Sequence, residues 1–481
     1  MKLRTILTVA ATVFVLAAGT TTSPAKIWTQ AASGKKIEAD LVKVENGTAF
    51  LRLADGRIGE VPVASLTAED QDYIKNFNKP VVADGWPNFR GAKLDGISPD
   101  KGLLKTWPAN GPEKVWTYEN AGNGYASVSV SGGKVFTIGT RESDVVVIAL
   151  DEATGNELWS KKISTDDQQG YNAGWGHGPR STPTYSEGHV YALGPKGTLA
   201  CLSAEDGNVV WRRHMIDDFG GRAGGWGFSE SPFIEGDKLV IGPGGQTAGL
   251  VALNKKTGEV MWKAEEVKPG KAEYATVVPA DINGVHQYIR LFEKQVVGVD
   301  ADSGKLLWSS PWDGATAVIP TPIVDGNRVY IGSGYGKGCK MIEIDSNFNT
   351  TDDWQNKIMK NHHGGFIKVG DHIYGFSDGA GLICQSWDDG EMVWNEKDGQ
   401  FLAKGSVTVA DGMIYCLNEQ NGACTLGKIS PDGFEKGGQF ILEPQSEIRH
   451  NQGKIWSHPV VINGRLYLRD QDLIHCYNLK P

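Results

Sequence analysis

The sequence predicts an all-β protein: an eight-bladed β-propeller preceded by a small β-barrel. Three observations carry this. A strand–turn–strand unit ending on tryptophan recurs at a period of about 40–50 residues. Glycine supplies 62 of the 481 residues, which suits a chain built from tight turns. The two ends of the repeat region are each fragments of a unit, and they make a whole one when joined.

The unit is clearest at Ala149–Trp159, where Asp151, Thr154 and Gly155 lie between two apolar runs. Cys201–Trp211, Val251–Trp262, Gly298–Trp308 and Cys384–Trp394 repeat it. An Asp or Asn at the start of such a turn accepts hydrogen bonds from the backbone just ahead. Gly155, Gly207, Gly258, Gly304 and Gly390 stand where the chain needs positive φ. The tryptophan brings a large apolar body with one polar N–H, suited to wedging between stacked sheets. One unit cannot bury its own faces, so units must stack. Inner strands precede each turn, as in Ser181–Tyr185 with His189–Leu193, and Thr321–Val324 with Arg328–Ile331.

Aromatic strand ends fall at Trp116, Trp159, Trp211, Trp262, Trp308, Trp354 and Trp394, and more weakly at Phe440. The tail from His458 to Tyr477 supplies three strands and stops. Lys114–Tyr118 is a strand with no partners before it. Together they complete an eighth blade and close the ring, which removes exposed sheet edges. The units ending at Trp354 and Phe440 are degenerate, so seven blades is the alternative count.

Residues 1–25 read as a secretory signal peptide: Lys2 and Arg4, an apolar run from Ile6 to Ala18, then small residues. The run is too short to span a bilayer. With no cysteine before Cys201, lipid attachment through an N-terminal cysteine is not expected, so a periplasmic or secreted protein is. The net charge of −9 argues against a nucleic-acid partner. Among the six cysteines, Cys201, Cys384 and Cys476 take equivalent positions in different blades and read as buried apolar residues. Cys416 and Cys424 can meet across a hairpin or stay free. There is no CxxC motif. Oligomeric state is not legible.

Residues 26–77 form a separate unit of short strands, with hairpin turns at Asn46-Gly47 and Asp55-Gly56. A helix opens with Thr67 as cap and Asp70 three residues on; Tyr73, Ile74 and Phe77 give it an apolar face. The Trp28-Thr29 start, Gly34, Glu38-Ala39, Val61-Pro62 and Leu66…Asp70…Tyr73-Ile74 resemble the Sla-homology (SHD-type) SH3-like domain. That resemblance implies a protein-binding or packing module. Residues 78–85 are a linker.

Residues 86–481 carry the propeller. Trp86-Pro-Asn-Phe-Arg90-Gly91, the repeated Asp-x-x-Thr-Gly-x-x-x-Trp, Asn361–Gly365 and Tyr467–Asp472 resemble PQQ-like (pyrroloquinoline-quinone-like) repeat proteins. Exported members of the polyvinyl-alcohol-dehydrogenase-like type are similar. The tryptophan repeat is shared with the propeller lipoprotein of the outer-membrane barrel-assembly machinery, which is not an enzyme. The resemblance therefore speaks for fold more than for activity.

The starts of the inner strands form the rim of any axial pocket, and here they are polar and aromatic. Arg180 and Lys404 suit carboxylates, and Trp175 or Trp226 suits stacking. His177, His362, Glu230 and His458 complete the set expected to bind a cofactor or ligand. Glu230, as general base or hard-metal ligand, and His458 are the catalytic candidates. His362 and His363, if on a strand, point to opposite faces, so no metal site is assigned. Quinone dehydrogenases of this family carry a vicinal Cys-Cys pair and a calcium site. The chain has no Cys-Cys pair, and the calcium ligands find no match. Two readings stand: a binding or scaffold propeller with ligand or protein partner at the channel mouth, or a PQQ- and calcium-dependent alcohol or sugar dehydrogenase.

Overall fold

The computed structural model describes residues 26–45, 47–53, 57–68, 70–71, 74 and 85–481. The leader, the turn residues Asn46 and Asp55-Gly56, the helix residues Tyr73 and Phe77, and linker residues 78–84 lie outside them. The chain divides into two compact units, Met1–Val82 and Ala83–Pro481. Gly85, expected in the linker, is in the first strand of the second unit.

The first unit is an antiparallel meander of Lys26–Thr29, Lys36–Glu45, Thr48–Leu53 and Ile58–Pro62. Trp28 fills its centre, 1% exposed, against Ala39, Ala49, Leu51, Leu66 and Ile74. Its indole N–H donates to the Ala39 carbonyl at 2.8 Å. The Thr67 hydroxyl accepts from the Asp70 N–H at 3.4 Å. Asp70 in turn accepts from the Thr29 N–H at 2.7 Å and pairs with Lys26 at 2.9 Å. Asp70 thus pins the helical turn to the first strand.

In the second unit, the described residues form eight sheets, one per blade. Blade 2 is typical: Thr184–Ser186, His189–Leu193, Thr198–Ser203 and Val209–His214, from axis to rim. Its inner strand starts later than the apolar run suggests, because Pro183 has no N–H for the ladder. Pro232, Pro322 and Pro459 delay the strands beginning at Phe233, Ile323 and Val460 in the same way. Blade 8 joins Val460–Ile462, Arg465–Asp470 and Leu473–Asn478 to Lys114–Tyr118, with Cys476 opposite Trp116. A bulge falls at Val115. The ring closes as its ends predict, with eight blades rather than seven.

The tryptophans lock each blade to the next. Trp116, Trp159, Trp211 and Trp262 donate their indole N–H to Glu152, Ala204, Lys255 and Ala301 carbonyls, at 3.1, 3.2, 2.9 and 3.1 Å. Each acceptor lies in the turn of the following blade. The ring then lies on that turn's glycine: a Cβ on Gly207 would sit 2.7 Å from Trp159. Phe440 plays this part for blade 7, against Gly111. Trp308 departs from the pattern and donates within its own blade, to Gln287 at 2.7 Å.

The segment after Gly85 closes the channel. Gly85–Trp86 adds to the inner strand of blade 1, and Ile97–Ser98 adds in parallel to that of blade 7. Between them, the Pro87 carbonyl accepts from Tyr185 of blade 2, and Leu94 shares a core with Phe233 of blade 3. Arg90 is buried and donates to the Leu94, Asp95 and Phe366 carbonyls at 3.1, 3.1 and 2.7 Å. The Trp-Pro-Asn-Phe-Arg-Gly motif is therefore the plug of the channel. Gly91 lies where a Cβ would be 3.0 Å from the Trp86 ring.

Candidate functional site

Above the plug lies a cavity of about 520 Å³. Its walls are mostly the connections from the outer strand of one blade to the inner strand of the next. Phe89 of the plug is part of the lining, edge-on to His458 with ring centroids 5.0 Å apart. Trp175, Arg180, Trp226, His362, Lys404 and His458 all line this cavity. The ring geometry brings them together from connections far apart in the chain.

Two expected members are elsewhere. Glu230 does not line the cavity. It is buried between blades 3 and 4, ion-paired with Arg290 and accepting from the Gly242 N–H at 2.7 Å. Arg290 is fully buried and donates to the Ala272 carbonyl at 2.8 Å. Burial lifts the Glu230 carboxyl to about 7 despite the guanidinium beside it. Its oxygens are thus engaged in holding two blades together, out of reach of anything in the mouth. His177 also stays out of the lining; burial lowers its pKa.

Arg180 is held rigidly. It donates to the Gly178, Trp226 and Gly176 carbonyls at 3.1, 3.4 and 3.1 Å. Its guanidinium lies 4.9 Å from the Tyr125 ring centroid. It makes no ion pair with a carboxylate among the described residues. Burial lowers its pKa. Tyr125 donates to the Trp175 carbonyl at 2.7 Å and packs 5.0 Å from Trp456. Trp456 donates to Glu419 at 3.0 Å and faces His363 at 6.2 Å. One wall therefore runs unbroken from Arg180 to His363.

The histidines sit on a loop, not on a strand as the alternation argument supposed, since the next strand begins at Phe366. Both line the cavity, with ring centroids 5.9 Å apart. His362 Nδ1 is 2.8 Å from Lys404 Nζ, and Asp378 pairs with Lys404 at 3.0 Å and His362 at 3.4 Å. Burial alone would raise the Asp378 pKa, but its bonds to His362 and Lys404 hold it well below the carboxylate range. His363 is 7% exposed, and neither ring nitrogen has a hydrogen-bond partner. Its nearest carboxylate is Glu419, 3.4 Å from Nδ1. Burial keeps it neutral, pushing its pKa well below the usual value. His458 donates its Nε2–H to the His363 carbonyl at 2.9 Å, and burial lowers its pKa to about 4.

Sequence reasoning missed Tyr335 and Glu419, which enter the mouth from hairpins between the second and third strands of blades 5 and 7. Nothing in the repeat marks them, because those hairpins vary from blade to blade. Phe89 had a signal in its plug motif, but its position under the cavity needed the fold.

Among the described residues, no three His, Cys, Asp or Glu side chains gather to hold a metal ion. No described helix is long and apolar enough to cross a membrane.

Residues 142–396 match the family described as outer membrane protein assembly factor BamB. The BamB of Shewanella oneidensis is 24% identical over 324 residues, which cover 65% of this chain and 69% of that protein. The crystal structure of BamB from Moraxella catarrhalis superposes with a TM-score of 0.53 at 14% identity, covering 76% of this chain and 97% of that one. The quinohemoprotein alcohol dehydrogenase of Comamonas testosteroni is 23% identical over 257 residues, 53% of this chain and 30% of that protein. Its crystal structure gives a TM-score of 0.59 at 13% identity, covering 85% of this chain and 82% of that one. Both structural likenesses concern the fold.

Proposed function

The chain belongs to the family of the outer membrane protein assembly factor BamB, and from that premise we propose that it is a binding or scaffold propeller of the cell envelope. Its working surface is the channel mouth. One observation carries this reading: the mouth gathers rigid aromatic side chains and an arginine that makes no ion pair among the described residues. Large, stiff aromatics and arginine are the side chains that dominate binding surfaces. Trp175 and Tyr335, 43% and 40% exposed, stand open at this face.

In this reading the leader directs export, and the 26–77 unit, read as SHD-type and SH3-like, is a second interaction module. The relatives named as assembly factors support a protein partner. The test is photo-crosslinking from position 175 in intact cells, with position 260 on an outer strand as control. A defined protein adduct from 175 and none from 260 is expected. Equal labelling from both positions would overturn the reading.

The second reading, a quinone-dependent alcohol dehydrogenase, is favoured by the likeness in fold to the Comamonas enzyme. Purified protein given PQQ, calcium, alcohols and a dye acceptor decides it. Alcohol-dependent dye reduction would replace the scaffold reading.

A further inference from the structure

The rim of the ring is electrostatically uneven. The protein carries a net charge of −9. Yet the outer strands of blades 1 and 2, Glu157–Thr165 and Val209–His214, carry Lys161, Lys162, Arg212 and Arg213. The acid in these strands, Glu157, is bound to Arg141 at 2.8 Å. The outer strand of blade 4, Leu306–Pro311, has no charged residue, and those of blades 5 and 6, Thr350–Asn356 and Met392–Glu396, carry Asp352, Asp353 and Glu396. Lys162 pairs with Asp144. Lys161, Arg212 and Arg213 make no ion pair among the described residues. Arg212 donates to the Lys162 carbonyl of blade 1 at 3.3 Å, so the two strands lie side by side at the rim. Beside this basic row runs an apolar one. Leu158 and Val210, each just before its tryptophan, are 48% and 49% exposed.

We propose that this sector of the rim docks an extended acidic segment of a partner protein, one in which acidic and aliphatic residues alternate. Successive side chains of an extended chain point to opposite sides. A segment laid across the two strands, over Trp159 and Trp211, therefore turns its acids to the basic row and its aliphatics to Leu158 and Val210. Arginine favours carboxylates in particular, because its planar fork meets both oxygens at once. The acids that bound the sector decide between a peptide and an anionic membrane. Exposed Glu205-Asp206 lie at the turn end of blade 2, and exposed Asp217-Asp218 lie at its mouth end, with Asp167 at the mouth end of blade 1. A flat anionic surface pressed on the rim would meet both acidic margins and be repelled. A single chain running between the margins meets only the basic row. Exposed ion pairs are individually weak and are screened by salt, so the docking is salt-dependent and needs both rows.

Fluorescence anisotropy on the full chain, with the labelled peptide Glu-Leu-Glu-Val-Glu-Leu-Glu-Val, tests this. Binding is expected, and it should weaken at least about tenfold as salt rises from about 0.05 to 0.5 M. The same residues in block order, all acids before all aliphatics, should bind at least about threefold more weakly, since they cannot serve both rows. Lys161→Glu with Arg212→Glu should weaken the alternating peptide at least about tenfold. Lys305→Glu with Lys397→Glu makes the same charge change at exposed sites on blades 4 and 6 and should leave binding unchanged. Leu158→Ser with Val210→Ser should weaken it at least about threefold. If the Lys161 and Arg212 double variant does not fold, Lys161→Glu alone decides, with a loss of about threefold. No binding, equal binding of the block peptide, or an equal loss in the Lys305 and Lys397 double variant would overturn the proposal. So would phosphatidylglycerol vesicles, or a second copy of the chain, bound in place of the peptide and lost with Lys161 and Arg212. The rim lies apart from the mouth, so this binding and the crosslinking from position 175 can each fail while the other stands.

Discussion

Trp116 donates its indole N–H to the Glu152 carbonyl at 3.1 Å, joining blade 8, which the two ends of the propeller share, to blade 1. The contact matters because Trp116 belongs to the strand that completes blade 8, while Glu152 lies in a turn of blade 1. The junction of blades 8 and 1 is therefore held by the same device that joins the interior blades. A Cβ on Gly155 would lie 2.5 Å from the Trp116 ring. The closing interface is as tightly packed as the others.

This packing gives a paired prediction. Gly155 and Gly188 both have positive φ, +73° and +77°. A Cβ at Gly188 meets nothing within 4 Å. Gly188→Ala should cost about 1–2 kcal/mol, the price of the left-handed backbone. Gly155→Ala adds overpacking against the indole and should cost about 1–3 kcal/mol more. Denaturant unfolding of the two variants measures the difference.

Glu230→Gln should destabilise the fold by about 3–5 kcal/mol, because it leaves Arg290 buried without its counter-charge. It should leave binding at the mouth unchanged. Replacing both partners with apolar residues of similar volume should cost less than the single change. Thermal unfolding of the single and double variants, beside the crosslinking from position 175, checks both halves.

The seam and the plug should be sensitive to acid. Burial holds His475 and His458 at pKa values of about 4 in the folded state. In the unfolded chain a histidine titrates near 6.5. Below that value the unfolded state takes up protons that the fold refuses. Stability is therefore full above about pH 6.5 and falls as pH drops towards 4. His475 lies 3.0 Å from Thr117 across the seam, so His475→Gln should flatten the loss. Melting temperatures between pH 7 and 4.5 for both proteins provide the test.

All six cysteines are buried and free. Cys416 faces Thr425 and Cys424 faces Leu417, so the two side chains point to opposite faces of blade 7. Burial also lifts the Cys416 and Cys424 thiols well above their usual pKa. Native protein should react slowly with thiol reagents, and all six should react quickly after unfolding. A reductant should leave the melting temperature unchanged.

Much of the fold was legible because its determinants are local. Most turns carry their own polar residue, glycine and tryptophan, and these set strand pairing within one blade. The eighth blade could be counted because Lys114–Tyr118 lacked partners and the tail lacked one strand. Trp308 was legible as a strand end but not as an exception. Its N–H turns to Gln287 because the next blade offers Asp345–Asn349 in place of a glycine turn.

The sequence by itself determined an all-β ring of eight units, seven ending on tryptophan and one on phenylalanine, closed by its own two ends, since repetition and turn chemistry need no distant information. Only the tertiary structure decided which polar residues share the mouth. Glu230 and Ser231 are neighbours in the chain, yet Ser231 lines the cavity and Glu230 faces Arg290 in the next blade. Alternation along an extended backbone separates such neighbours, and the partner that captures each lies many residues away. Glu419 and Tyr335 reached the site for the same reason: a hairpin's direction is set by the blades packed on either side of it.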